Sequence, residues 1–381
     1  MNRWVWTLFL ALIVLLPLPF GTFRPWSWSL AGIIVSLLLL TWAGSVATGR
    51  LALFWRNSLW VPALLFAGVV IWIAVQSLMP VSPAQAHPLW QLAGTALSTP
   101  LTGYISASPE DGVALLLRLL SGAGCFWLAL QYGHDRDRAW QLVTWFGFAA
   151  AFYSAYGLLN FLTGNQLLLF YTRWGYLEDV TGTFVNRNTY ATYAGMGILA
   201  LTILFVRAFR ARWRIGDAGL SWLGRHVEAL GGRVSVLLGL TLVTAMALLQ
   251  SHSRMGFVAS VAGLGALLLL LRLRGILRGW IAPAIIAVAA IFILFLSGGS
   301  TLDRISAGSA SGRPELIATT QQAIQSAPML GSGYGSFNNV FQMYRDLTLP
   351  GGEYHMAHST YLELAFGLGI VVILAVDEHY N

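Results

Sequence analysis

The chain has 381 residues, 57% of them hydrophobic and only 10% charged, with a mean hydropathy of +0.68. A soluble domain carries about 25% charged residues, so this composition argues against a water-soluble enzyme, a disordered chain and a nucleic-acid-binding domain. The basic balance of +7 is carried by 22 basic residues, all of them arginine, and in a membrane chain such a balance reports topology. The single cysteine, Cys125, allows neither an intramolecular disulfide nor a cysteine metal cluster.

A helix needs about 20 apolar residues to cross the hydrocarbon core. Ten segments meet that requirement: 4–20, 29–48, 59–79, 112–132, 140–162, 188–206, 234–250, 255–271, 279–297 and 358–376. Trp4, Trp6, Trp26, Trp28, Trp60, Trp140, Trp145 and Trp280 lie near segment ends, as interfacial belts do. The stretch after the first segment, PLPFGTFRPW, has no small-residue cleavage site, so that segment reads as a retained first helix. The expectation is an all-α integral membrane protein, a single polytopic domain over 1–381. With the N-terminus inside, the inner loops hold 14 arginines against six acids and the outer loops seven against eight. Arg118 and Glu363 fall within spans. That asymmetry follows the positive-inside rule. The longest inner loop, 207–233, reads as a basic amphipathic stretch on the anionic leaflet, while the outside carries the longer segments 80–111, 163–187 and 298–357.

Three outward spots gather polar chemistry, each at the start of a helix running inward. They are Thr181 to Asn188 with Asn186, Arg187 and Asn188; Ser251-His252-Ser253-Arg254; and His355-Met356-Ala357-His358-Ser359-Thr360. Asn186, Asn188, Ser251, Ser253 and Ser359 are the residue types that cap helix starts. A helix N-terminus carries about half a positive elementary charge and several free N–H groups. Three such ends bearing Arg187, Arg254 and His358 form a strong anion site if they converge. Arginine donates bidentately to phosphate, and a diphosphate at headgroup level is the natural guest. Taken singly, Arg187 and Arg254 read equally as interfacial residues reaching lipid phosphates, and His358 as a satisfied interfacial histidine.

In the loop 298–357, Ser311-Gly312-Arg313-Pro314-Glu315 is a turn leading into an amphipathic helix from Pro314 to Ser326. The glycines at 331, 333 and 335 follow no strand and precede no Gly-Lys-Ser/Thr, so a nucleotide-binding loop fails on context. They fit a tight backbone path at a cavity rim. His355 and His358 share a helical face, but a metal site wants further ligands, Glu353 being the nearby one. Glu363 is about 140° around a helix from His358, which argues against a direct relay between them. Glu110 and Asp111 read as the acidic first turn of the fourth span. The common serine-hydrolase and zinc-protease signatures are absent.

Four blocks taken together resemble the O-antigen ligase and O-antigen polymerase family: T-G-T-F-V-N-R-N-T-Y-A-T-Y-A-G (181–195), S-H-S-R-M-G-F (251–257), S-G-R-P-E-L-I (311–317) with A-P-M-L-G-S-G-Y-G-S-F (327–337), and H-M-A-H-S-T-Y-L-E-L-A-F-G-L-G (355–369). Y-I-S-A-S-P-E-D (104–111) is similar to that family's first external loop. The resemblance covers a core of 180–370. It implies a GT-C-like bundle of about ten transmembrane helices with a large periplasmic loop, 298–357, between the last two spans. It also implies a bacterial inner-membrane glycosyltransferase that needs no cofactor or metal. Such an enzyme passes a glycan from an undecaprenyl-diphosphate carrier to lipid A core, a growing polysaccharide or a protein at the periplasmic face. In that picture Arg187, Arg254 and His358 are catalytic. Arg313, Asn186, Asn188, Ser253 and His355 contact substrate, and nucleic acid has no part. Family ligases often place leucine four residues after the arginine; here Val258 follows Arg254 and Ala191 follows Arg187. Members also continue for one or two spans beyond the histidine helix, so an inactive truncated homologue is one alternative. A transporter of lipid-linked saccharides is the other. It would place charges and broken helices near the midplane of two repeated halves, whereas this sequence puts its polar residues on one rim.

Overall fold

A computed structural model describes residues 3–215, 231–277, 313–345, 354 and 356–369. The expected span 279–297, the middle of the basic loop, residues 298–312 and 346–353 of the long outer loop, His355 and the last part of span ten lie outside the described residues. The chain forms two compact units, one of residues 1–54 and 124–299, the other of residues 55–123 and 300–381.

Six helices among the described residues are long and apolar enough to cross a membrane: Pro25–Ala47, Asn57–Leu78, Pro109–Gly133, Arg136–Leu162, Arg187–Arg212 and Arg254–Leu273. Two more apolar helices, Arg3–Leu15 and Arg233–Leu249, are shorter. The chain is thus a mostly helical membrane protein, with strand confined, among the described residues, to the two-residue pair β1 (Leu167–Leu168) and β2 (Tyr171–Thr172).

The first unit holds α1 (Arg3–Leu15), α2 (Pro25–Ala47), the end of α5 (Pro109–Gly133), α6 (Arg136–Leu162), α7 (Arg187–Ile215), α8 (Arg233–Leu249) and α9 (Arg254–Leu273). The expected span 4–20 stops early, at Leu15. Leu16 precedes Pro17, and a residue before proline is pushed out of helical geometry; Pro19 follows, and a short 3₁₀ turn takes over at Phe20. Helix α6 starts on Asp135, whose carboxylate accepts from the Arg138 N–H at 3.0 Å.

Helix α7 is the hub, packing on α6, α8 and α9. Its Tyr190, Ala191, Ala194 and Ile198 bury against Ala149, Ala150 and Tyr153 of α6 and Ala247 and Leu248 of α8. Small residues permit this approach. A Cβ on Gly197 would lie 2.3 Å from the Ala150 Cβ, and one on Gly195 would lie 2.0 Å from the Ser260 Oγ. Lipid offers no hydrophobic drive between helices, so such close contact supplies the van der Waals term that holds them. Half of the apolar window of α7 is buried inside the protein, against 6% for the window in Asn57–Leu78. The latter keeps its apolar faces for hydrocarbon.

The second unit holds α3 (Trp60–Leu78), α4 (Pro88–Ala96), the start of α5 with Glu110 and Asp111 in its first turn, α10 (Arg313–Ser326), α11 (Phe337–Val340) and α12 (Thr360–Leu368). The amphipathic helix expected from Pro314 is α10, one residue longer at its start. Its Leu316, Ala323 and Ile324 bury with Phe337, Val340 and Phe341 and with Ala365 and Phe366 of α12.

Candidate active site

In the first unit, two of the polar spots meet. Helix α7 begins at Arg187, and the Asn186 side-chain oxygen accepts from the Asn188 N–H at 2.7 Å. Helix α9 begins at Arg254 on an N-cap, Ser253, whose hydroxyl oxygen accepts from the Gly256 N–H at 3.3 Å. The same hydroxyl donates to the Asn188 Oδ1 at 2.8 Å, so one serine caps α9 and ties it to the start of α7. A Cβ on Gly256 would lie 2.5 Å from that of Ala191, which is how close the two helix starts run. Ser251 takes a different part from the one its residue type suggests. It donates to the Leu248 carbonyl at 2.6 Å and so finishes α8.

The charges follow from this pairing. Arg187 Nη1 lies 2.9 Å from Asp179 Oδ2, and the guanidinium sits over the Tyr176 ring at 5.4 Å. The other carboxylate oxygen, Oδ1, lies 2.7 Å from His252 Nδ1. Arg173 pins this loop by donating to the carbonyls of Tyr176 and of Asp179, the latter at 2.9 Å. The Val180 N–H donates to the Gln250 carbonyl at 2.9 Å, which joins the loop to the α8–α9 turn. Asp179 is buried, as an acid can be only when paired. Arg254 is exposed at the helix start and makes no ion pair among the described residues.

In the second unit, His358 is exposed and precedes α12 in a left-handed conformation, φ 54°. Ser359 occupies the N-cap but its side chain makes no capping bond. Because His358 stands outside the helix, a helical wheel does not set its distance from Glu363. The Glu363 carboxylate accepts from the Ala357 N–H, and no hydrogen bond joins it to the His358 side chain among the described residues. Arg313 is the first residue of α10.

The glycine run seats itself against the end of α12. Gly331, Gly333 and Gly335 all have positive φ, at 70°, 100° and 87°. The Ser332 and Gly333 N–H groups donate to the carbonyls of Phe366 and Gly367 at 2.8 and 3.0 Å, and the Ala107 N–H donates to the Ser332 carbonyl at 2.9 Å. Gln76 donates to the Gly367 and Leu330 carbonyls at 3.0 and 2.6 Å. The tight path is as expected, and its use is structural: the Ser332 and Gly333 N–H groups are spent on α12 and that of Gly331 on the Ala327 carbonyl. Tyr334 lies within it, and burial, with the Glu363 charge, pushes its phenol above the ordinary value while Arg118 opposes. The two charges placed within spans by the sequence therefore both act on Tyr334.

No group of three or more His, Cys, Asp or Glu among the described residues is placed to hold a metal ion. The sequence reading missed Asp179 and gave His252 no role. His252 lies beside Arg254 and could have been singled out for that; Asp179 lies in an irregular loop, where no periodicity marks it.

A family model described as O-antigen ligase matches residues 238–376. Over this stretch the chain is similar to the O-antigen ligase family. The matched segment contains Ser253, Arg254, Arg313, His355 and His358, while Asp179, Asn186, Arg187 and Asn188 precede it. That similarity points to a membrane glycosyltransferase-like enzyme of surface-polysaccharide biosynthesis, with a lipid-linked glycan and an acceptor as substrates. No curated protein and no solved structure shows a significant match to the chain.

Proposed function

We propose that the protein transfers a glycan from an undecaprenyl-diphosphate carrier to an acceptor at the periplasmic face of a bacterial inner membrane, without a metal ion. The acceptor is lipid A core, a growing polysaccharide or a protein. The architecture in this reading is a single polytopic domain of about ten spans, with the loop 298–357 on the periplasmic side.

The observation that carries the reading is the Ser253–Asn188 bond of 2.8 Å, which sets the starts of α7 and α9 side by side. Arg187 and Arg254 thereby share one end of a packed helix pair with two helix N-termini. Both features favour a multiply charged anion. In the reaction the acceptor oxygen forms a bond to the anomeric carbon as the carbon–oxygen bond to the diphosphate breaks. The leaving diphosphate gains charge, and preorganised donors aimed at developing charge supply the largest catalytic term in many enzymes. His358 takes the acceptor proton, a contribution of typically ~10²–10⁴-fold. Asn186 and Asn188 hold the α7 start, Ser253 the α9 start, and Arg313 and His355 contact the glycan or its phosphates.

The test is transfer by the purified full-length protein in lipid, supplied with an undecaprenyl-diphosphate glycan and acceptor. R254A and H358A are each expected to lose about 10²-fold or more, and chelation of divalent metals to leave the rate unchanged. Undiminished transfer by both variants would sink the assignment.

A further inference from the structure

We propose that His252, oriented by Asp179, is a second proton-transfer residue of the site and acts on the diphosphate. The inference rests on the transferase reading, but its geometry stands within the first unit alone. A carboxylate only accepts, so the Nδ1 facing Asp179 Oδ1 at 2.7 Å carries its hydrogen. This fixes the tautomer and leaves Nε2 as the working nitrogen, as when a buried carboxylate orients a catalytic histidine. Nε2 makes no hydrogen bond among the described residues, and the His252 side chain is 55% exposed while that of its carboxylate is 9% exposed. The orienting group is inside and the reacting edge is outside. His252 also holds a left-handed backbone, φ 49°, in the four-residue turn between α8 and α9. A non-glycine residue keeps such a conformation only where its surroundings enforce it, and here the Asp179 bond and the Ser253 cap flank it.

Charge decides which task this histidine performs. The groups facing it are Asp179 and, across that carboxylate, Arg187; Arg173 holds the Asp179 backbone, and Arg254 stands two residues on. Arg187 neutralises Asp179, so with neutral His252 the charges left to meet an anion are those of Arg173, spent on the loop backbone, and of Arg254. A diphosphate carries at least two negative charges. Its arrival favours protonation of His252, which then presents Nε2–H to a phosphate oxygen. As the anomeric carbon–oxygen bond breaks, Nε2 passes that proton to the leaving diphosphate. The neutral ring is reprotonated from water before the next turnover, while the acceptor proton leaves separately through the base. Asp179 touches no substrate in this scheme and is a positioning residue.

The experiment uses full-length protein in phospholipid nanodiscs and inorganic diphosphate as probe. Calorimetric titration at pH 7.5 in two buffers of different ionisation enthalpy counts the protons taken up. Wild type is expected to take up roughly one proton more per diphosphate than H252Q, the ligand's own protons cancelling in the difference. H252Q should bind about tenfold or more weakly, as loss of a charge-assisted hydrogen bond requires. D179N should bind diphosphate more weakly and show a proton count closer to that of H252Q at pH 7.5, because nothing then holds the Nε2 edge toward the ligand. Equal proton counts in wild type and H252Q, or no diphosphate binding by wild type, would overturn the proposal. Thermal unfolding of H252Q at the wild-type temperature shows that a loss is not one of folding. Proton-coupled binding without glycan transfer by wild type would fell the transferase reading and leave His252 as a diphosphate-binding residue only. Transfer that R254A abolishes and H252Q leaves intact would do the reverse.

Discussion

The start of α7 and α9 and the glycine run beside α12 both bring distant stretches of chain together, by opposite means. The first does it with side chains: Asp179 takes Arg187 on one oxygen and His252 on the other, and Ser253 binds Asn188. The second does it with backbone: N–H groups of 332 and 333 reach the carbonyls of 366 and 367, and glycines with positive φ let the strands of chain touch. Charged side chains held by one another can change partner when an anion arrives. Backbone pairs pressed together without side chains cannot. The difference teaches that the glycine-rich loop, which a motif search would favour as the phosphate cradle, is scaffold. The Asp179 cluster, which no motif search favours, has the adaptable charge.

If that contrast is right, the scaffold should break hardest. A Cβ on Gly333 would lie 2.1 Å from the Ser106 Oγ and 2.7 Å from the Ser106 Cα, at φ 100°. G333A is expected to lower stability by about 2–5 kcal/mol, the sum of a left-handed backbone penalty and overpacking. Thermal unfolding in detergent measures this. A variant that folds as well as wild type but loses diphosphate binding would reverse the contrast and make the loop a ligand site.

S253A probes the other side. It removes an N-cap, a loss of about 0.5–2 kcal/mol, together with the bond to Asn188. Folding should survive while transfer falls several-fold, because Arg187 and Arg254 lose the link that aligns their helix starts. S253T, which keeps a hydroxyl, should restore most of the rate. Transfer unchanged in S253A would remove the serine from the site.

Much of the fold was readable because it follows from period and length. Nine of the ten apolar segments coincide wholly or in part with described helices, and the early end of α1 is itself written in Pro17 and Pro19. The caps at Ser253 and Asn186 were readable for the same reason, since a cap is a local matter of residue type and neighbouring N–H. Partners across sequence were not. Nothing within residues 163–186 says that Asp179 will close on a turn 73 residues later, and the G-x-G-x-G spacing predicts a tight path without naming Ser106 or Gly367 as what it touches. The Asp179 pairings depend on loop closure over α7 and α8, which has no sequence period.

The smallest expected effect lies outside both regions and tests whether backbone capping alone carries a pH signal. His87 is buried at the start of α4, where its Nδ1 accepts from the Leu89 N–H at 3.3 Å. Burial pushes its pKa below the ordinary value, so the folded chain holds it neutral, and protonation would both bury a charge and remove the acceptor. A folded pKa below the unfolded one means that the stabilisation is complete above the ordinary histidine pKa of about 6.5 and is lost as pH falls through it toward the folded value. Amide exchange across 88–96 should quicken on acidification below that point, by about the 1 kcal/mol a cap is worth. H87N keeps a capping oxygen and cannot titrate in this range, so the acid response should vanish with the cap intact. An acid response as large in H87N as in wild type would assign it to another group.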